Sequence, residues 1–177
     1  MSIKKKDDVL IKNPKLSDRV AVFYSQMEEI RTNLLETIEK ISQKQLDYTP
    51  NEAKVETIGT LLLHIAAVEW SWIFEDVDGR EMDFEEWKYA FPLRKEVNIP
   101  QLKGKKIVYY LDKLKKVREE VFLRLTRMKD DELDSLIGEE EGKCSIEWIL
   151  YHIIEHEIQH YGQIKLLKRL FELKQKF

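Results

Sequence analysis

The chain has 177 residues, enough for one domain with a sizeable core, and its balance of 43% hydrophobic and 36% charged residues is that of a globular protein. The formal net charge is -3 with both signs mixed, which argues against a nucleic-acid footprint, and six glycines with four prolines are too few for an all-β design rich in turns. One cysteine, Cys144, excludes an intrachain disulfide; no apolar run nears the roughly 18 residues of a membrane span, and no signal peptide is evident, so a cytoplasmic location is expected.

Residues 1 to about 15 read as a flexible arm on a single domain spanning 1–177. From Ser17 the pattern is helical. Val20, Phe23, Tyr24, Met27, Ile30, Leu34, Ile38 and Ile41 recur at three- and four-residue spacing, with Gln26, Glu28, Glu29, Arg31 and Glu36 assigned to the surface. Tyr48-Thr-Pro-Asn51 punctuates its end. A second helix starts near Glu56 or Thr57 and carries a broad apolar face from Ile58 to Ile73, with His64 in its middle. It should stop at Asp78-Gly79, where glycine can take the left-handed cap.

A connection of about 25 residues follows, to about Lys103-Gly104. Its aromatic residues Phe84, Trp87, Tyr89 and Phe91 suggest that it packs over something. The third helix runs from about Lys105 to Met128 on a stripe that includes Val108, Leu111, Leu114 and Val121, its Lys and Glu forming a solvated face. After a turn-rich link through Gly138 to Gly142, Ser145 is a good N-cap for the last helix. Four amphipathic helices in one chain of this size predict an all-α, four-helix bundle with a long connection between helices 2 and 3.

The last helix carries Tyr151-His-Ile-Ile-Glu-His-Glu-Ile-Gln-His-Tyr-Gly-Gln163, with three of the chain's four histidines at His152, His156 and His160. Residues i and i+4 share a helix face, so two of these imidazoles can point at one atom, and His64 can supply a third nitrogen from a neighbouring helix. Three protein ligands with an open position suit a ligand-exchanging divalent metal better than a closed structural site. His64, His156 and His160 are therefore the candidate metal ligands.

His152 is two turns from His160 and some 80° around the axis, so it is assigned a flanking or packing role. Glu155 and Glu157 flank His156 and are expected to face solvent. His156-Glu157-Ile-Gln-His160 formally matches the helix of a zinc peptidase. That reading is disfavoured, because no strand pattern accompanies it. Cys144, before the last helix, is read as an incidental thiol.

Two segments carry a family resemblance: Leu61-Leu-Leu-His64-Ile-Ala-Ala-Val-Glu-Trp70, and Trp148 through Ile164 with its three histidines. Together with Gln45-Leu-Asp-Tyr-Thr-Pro50 and Asp131-Glu-Leu-Asp134, they make the chain resemble the DinB/YfiT-like proteins over roughly Ser17 to Phe171. The resemblance implies a metal-binding four-helix bundle holding zinc or nickel through His64, His156 and His160. It also implies frequent homodimers and, in some relatives, transfer of a low-molecular-weight thiol such as bacillithiol, mycothiol or glutathione to a small-molecule substrate. Where the family often has His-Arg-Gly-Gln, this chain has His160-Tyr161-Gly162-Gln163. The residues alone leave three functions open: metal-dependent thiol transfer, hydrolysis by metal-bound water, and a non-catalytic metal-binding stress protein.

Overall fold

The computed structural model describes residues 9–50, 55–91, 101–138 and 142–176. It is mainly α-helical. The four long helices are α1 (Asp18–Ile38), α3 (Ile58–Trp70), α5 (Ile107–Leu125) and α6 (Ile146–Lys174). Two short helices, α2 (Gln43–Leu46) and α4 (Phe84–Trp87), lie in the connections. Helix α1 packs on α6, α6 on α3, and α3 on α5, which puts α3 and α6 at the centre. Their apolar faces meet in one core that includes Met27, Leu34, Leu62, Ile65, Leu114, Val121, Ile149 and Ile153.

Local signals set the helix ends. The Thr57 hydroxyl accepts from Thr60 N at 3.0 Å at the start of α3, and Ser145 accepts from Trp148 N at 3.1 Å at the start of α6. Helix α1 is capped from outside. The Asp130 carboxylate, on a 3-10 turn (Asp130–Asp134), accepts from Arg19 N at 3.0 Å and Val20 N at 3.4 Å. Its pKa lies below the usual carboxylate value, through the Ser17 hydroxyl and these amides.

The second predicted helix differs from a plain α-helix. It is α-helical only to Trp70 and continues as a π-helix, Ser71–Val77, before Gly79 takes the expected left-handed conformation at φ +67°. The wider turn brings Ile73 and Phe74 into the core and leaves Trp72 half-buried. Contrary to the sequence expectation, this 20-residue stretch, Ile58–Val77, is long and apolar enough to cross a membrane; here most of it is covered by the other helices.

The third helix ends at Leu125 rather than Met128, and Val108 is exposed, its expected core place taken by Tyr110. The turn-rich link holds a two-residue antiparallel pairing, β1 (Leu136–Ile137) with β2 (Cys144–Ser145), which the sequence does not signal. The long connection is partly ordered as α4 and a 3-10 turn (Lys88–Ala90), the latter packed on α3. The arm expected over 1–15 falls partly outside the described residues, as do Pro92 and Pro100.

Candidate metal centre

His64 projects from the middle of α3, and His156 and His160 from successive turns of α6. Their nearest ring nitrogens lie within 4.8 Å of one another. Nε2 of His156 is 3.2 Å from Nε2 of His64 and 3.0 Å from Nε2 of His160. The expected set of three is thus brought together.

The opposite ring nitrogens fix two tautomers. Nδ1 of His64 donates to the Ala90 carbonyl at 3.0 Å, and Nδ1 of His160 donates to Gln163 Oε1 at 2.8 Å. Each therefore presents a bare Nε2 lone pair to the centre. Nε2 of His156 thus lies against both of the other Nε2 atoms and can donate an N–H to only one of them at a time, and the three residues form a group that could hold a metal ion. Two ligands about 2.05 Å from a metal stand roughly 2.9 Å apart at a right angle and about 3.3 Å apart at the tetrahedral angle. The separations of 3.0 and 3.2 Å fall in this interval. Burial, then the neighbouring His160, His64 and His152, lower the His156 pKa to about 3, so it is neutral and able to ligate at neutral pH.

The aromatic connection does pack over the site. Ala90 supplies the carbonyl that orients His64, and the Phe91 ring meets the His64 ring edge-on at 5.4 Å. Gln163 holds His160 as a metal ligand's outer partner would, a role the sequence reading left unassigned.

His152 stays outside the cluster. Its ring stacks on Trp148 at 4.8 Å, meets Trp72 edge-on at 5.2 Å, and lies 6.2 Å from the His156 ring. Its Nδ1 is 3.5 Å from Glu155 Oε2, too long for a good hydrogen bond. Cys144 sits in β2, half-buried.

Two assignments to the surface are overturned. Arg31 and Glu157 are buried, and with Glu69 and Arg118 they form a four-way ion network with one member from each long helix. Arg31 Nε donates to Glu157 at 2.6 Å and its NH2 to Glu69 at 2.7 Å. Arg118 donates to Glu69 at 2.6 Å and to Glu157 at 3.1 Å, and also to the exposed Glu28 at 2.8 Å. Burial pushes the Glu69 pKa up, but Arg118 and Arg31 outweigh it and hold the carboxyl below its usual value. Glu157 is therefore bound to two arginines. It is not the free base that a zinc-peptidase helix needs.

The signal for this network was present in the sequence. Arg31 follows Met27 by four residues and precedes Leu34 by three; Glu69, Arg118 and Glu157 follow Ile65, Leu114 and Ile153 by four. All four charges stand in core register, and their signs balance.

Comparison with known proteins agrees with this architecture. The uncharacterised YkkA protein of Bacillus subtilis (strain 168) is 25% identical over 171 residues, covering 92% of this chain and 93% of that protein. The crystal structure of a conserved protein from Enterococcus faecalis superposes with a TM-score of 0.65 over 84% of this chain and 94% of that one; at 13% identity, this likeness speaks to the fold alone. The family model of the DinB superfamily matches residues 26–164, and the chain belongs to that superfamily.

Proposed function

We propose that the protein is a DinB-type four-helix bundle that binds one divalent metal ion, zinc or nickel, through Nε2 of His64, His156 and His160, and uses it to transfer a low-molecular-weight thiol to a small electrophile. The observation that carries the metal reading is the convergence of three Nε2 atoms, two of them deprotonated by their outer hydrogen bonds. Family membership supports it. A divalent ion held by these three imidazoles would supply Lewis acidity, which would lower the pKa of a bound thiol.

The protein's own groups orient and enclose. The Ala90 carbonyl and Gln163 lock the imidazoles of His64 and His160. Phe91 covers one side of His64. Trp72 of the π-helix, with Trp148 and His152 of α6, forms an aromatic wall beside His156, suited to holding a flat or apolar electrophile. In the transfer, a sulfur–carbon bond forms, the electrophile's leaving group departs with its electron pair, and the thiol proton goes to solvent.

The test is turnover of a chlorodinitrobenzene by the metal-loaded protein with bacillithiol, then glutathione and free cysteine. Thiol-dependent loss of the electrophile that disappears in His160→Ala is the expected result. Ester hydrolysis without thiol dependence at the same site would replace transfer by hydrolysis. No metal-dependent reaction of either kind would leave a binding protein.

A further inference from the structure

The outer face of α6 is apolar where a solvent face should be polar. Trp148, Tyr151, Ile158, Leu166 and Leu173 are 43–57% exposed. With Gly162 at their middle, all fall within about 40° of one line along the helix, at about 100° per residue. The buried side of α6, with Ile149, Ile153, Glu157, Ile164 and Leu167, faces the other way. The exposed line runs roughly 38 Å, long enough for a continuous seam with a second helix.

Gly162 is out of place in a solitary helix. Glycine weakens a helix interior relative to alanine, because the chain loses more freedom on folding. A Cβ at Gly162 would meet nothing within 4 Å, so packing inside the protomer does not require its absence. A missing side chain on an exposed helix face lets another backbone approach closely.

The face also matches itself when reversed about Gly162. Tyr151 and Leu173 stand eleven residues to either side, Glu155 and Arg169 seven, and Ile158 and Leu166 four. A two-fold axis at Gly162 lays two copies of α6 antiparallel and brings residues equally distant from it together. Tyr151 then meets Leu173, Ile158 meets Leu166, and Glu155 meets Arg169, each twice. Arg169 is exposed and makes no ion pair among the described residues. A parallel arrangement would set Glu155 against Glu155 and Arg169 against Arg169, so charge selects the antiparallel one.

We propose that this face of α6 is a docking surface for a second copy of the chain, packed antiparallel about a two-fold axis at Gly162. Sedimentation equilibrium of the metal-loaded full-length protein should find a dimer. Gly162→Leu should be monomeric with its helical circular dichroism retained, since the protomer has room for the side chain and the axis does not. Glu155→Arg and Arg169→Glu should each weaken association by about tenfold, and the combined Glu155→Arg/Arg169→Glu protein should recover it, because the pair is exchanged rather than lost.

In a Cys144→Ser background, Ile158→Cys/Leu166→Cys should oxidise to a covalent dimer. The two positions lie about 12 Å apart in one helix, beyond the reach of a disulfide, so the bonds must join two chains. A monomeric parent protein, a dimer unchanged by Gly162→Leu, a double charge reversal that associates no better than the single ones, or no covalent dimer on oxidation would each overturn the assignment.

Discussion

Replacing Glu157 by Gln tests what the buried ion network contributes. In the folded protein its carboxylate accepts from Arg31 and Arg118, and all four members are 6% exposed or less. Two guanidinium and two carboxylate groups cancel, so the substitution leaves one positive charge uncompensated in the core and one oxygen replaced by a donor facing donors. Breaking a buried pair from one side costs about 3–5 kcal/mol, against about 0–1 kcal/mol for an exposed pair. For a chain of this length, that lowers Tm by about 8–14 °C.

Asp134→Asn is the internal control, because it breaks the exposed Arg19–Asp134 pair at 2.8 Å, which solvent screens, and should cost far less. Thermal and urea melts of the metal-free proteins give both numbers. Replacing the four members together by Met and Leu of similar volume should recover most of the loss, since a desolvated ion network and a packed apolar one are close in free energy. A Glu157→Gln cost no larger than that of Asp134→Asn would refute the reasoning.

Acidification gives a second test. His156 has a folded pKa of about 3 against an ordinary value of 6.5, so between these values the unfolded chain holds a proton the folded one lacks. Stability of the metal-free protein should therefore be greatest above about pH 6.5 and fall as pH drops. The His156 contribution has a slope of up to about 1.4 kcal/mol per pH unit. Urea melts of His156→Gln across this window should show a shallower fall. Gly59→Ala should destabilise by about 1–3 kcal/mol, because a Cβ there would stand 2.7 Å from the Tyr110 ring; stability should return in Gly59→Ala/Tyr110→Leu. Tyr110→Phe alone should be neutral or stabilising by up to about 1 kcal/mol in thermal melts, since the buried Tyr110 hydroxyl has no hydrogen-bond partner among the described residues.

The helices were legible because apolar residues recur at helical spacing and Thr57, Gly79 and Ser145 mark ends by local chemistry. The π-helical turn after Trp70 was not, since a register shift within an apolar run leaves the period unchanged to the eye. Nor was the Asp130 cap on α1, which joins residues 110 or more positions apart. The histidine cluster was readable from i, i+4 spacing plus one partner in a core-facing helix. Arg31 and Glu157 were misread because a charge in a helix defaults to the solvent face, a default that fails when complementary charges occupy core register on every neighbouring helix.

The central claim is one divalent ion held by three imidazoles. X-ray absorption on protein loaded with one equivalent of zinc or nickel reads the coordination shell directly. The expected spectrum shows three imidazole nitrogens at about 2.0–2.2 Å, with one imidazole fewer in His160→Ala and no change in His152→Ala. Sub-stoichiometric metal with no imidazole signature, or equal loss from His152→Ala and His160→Ala, would contradict it.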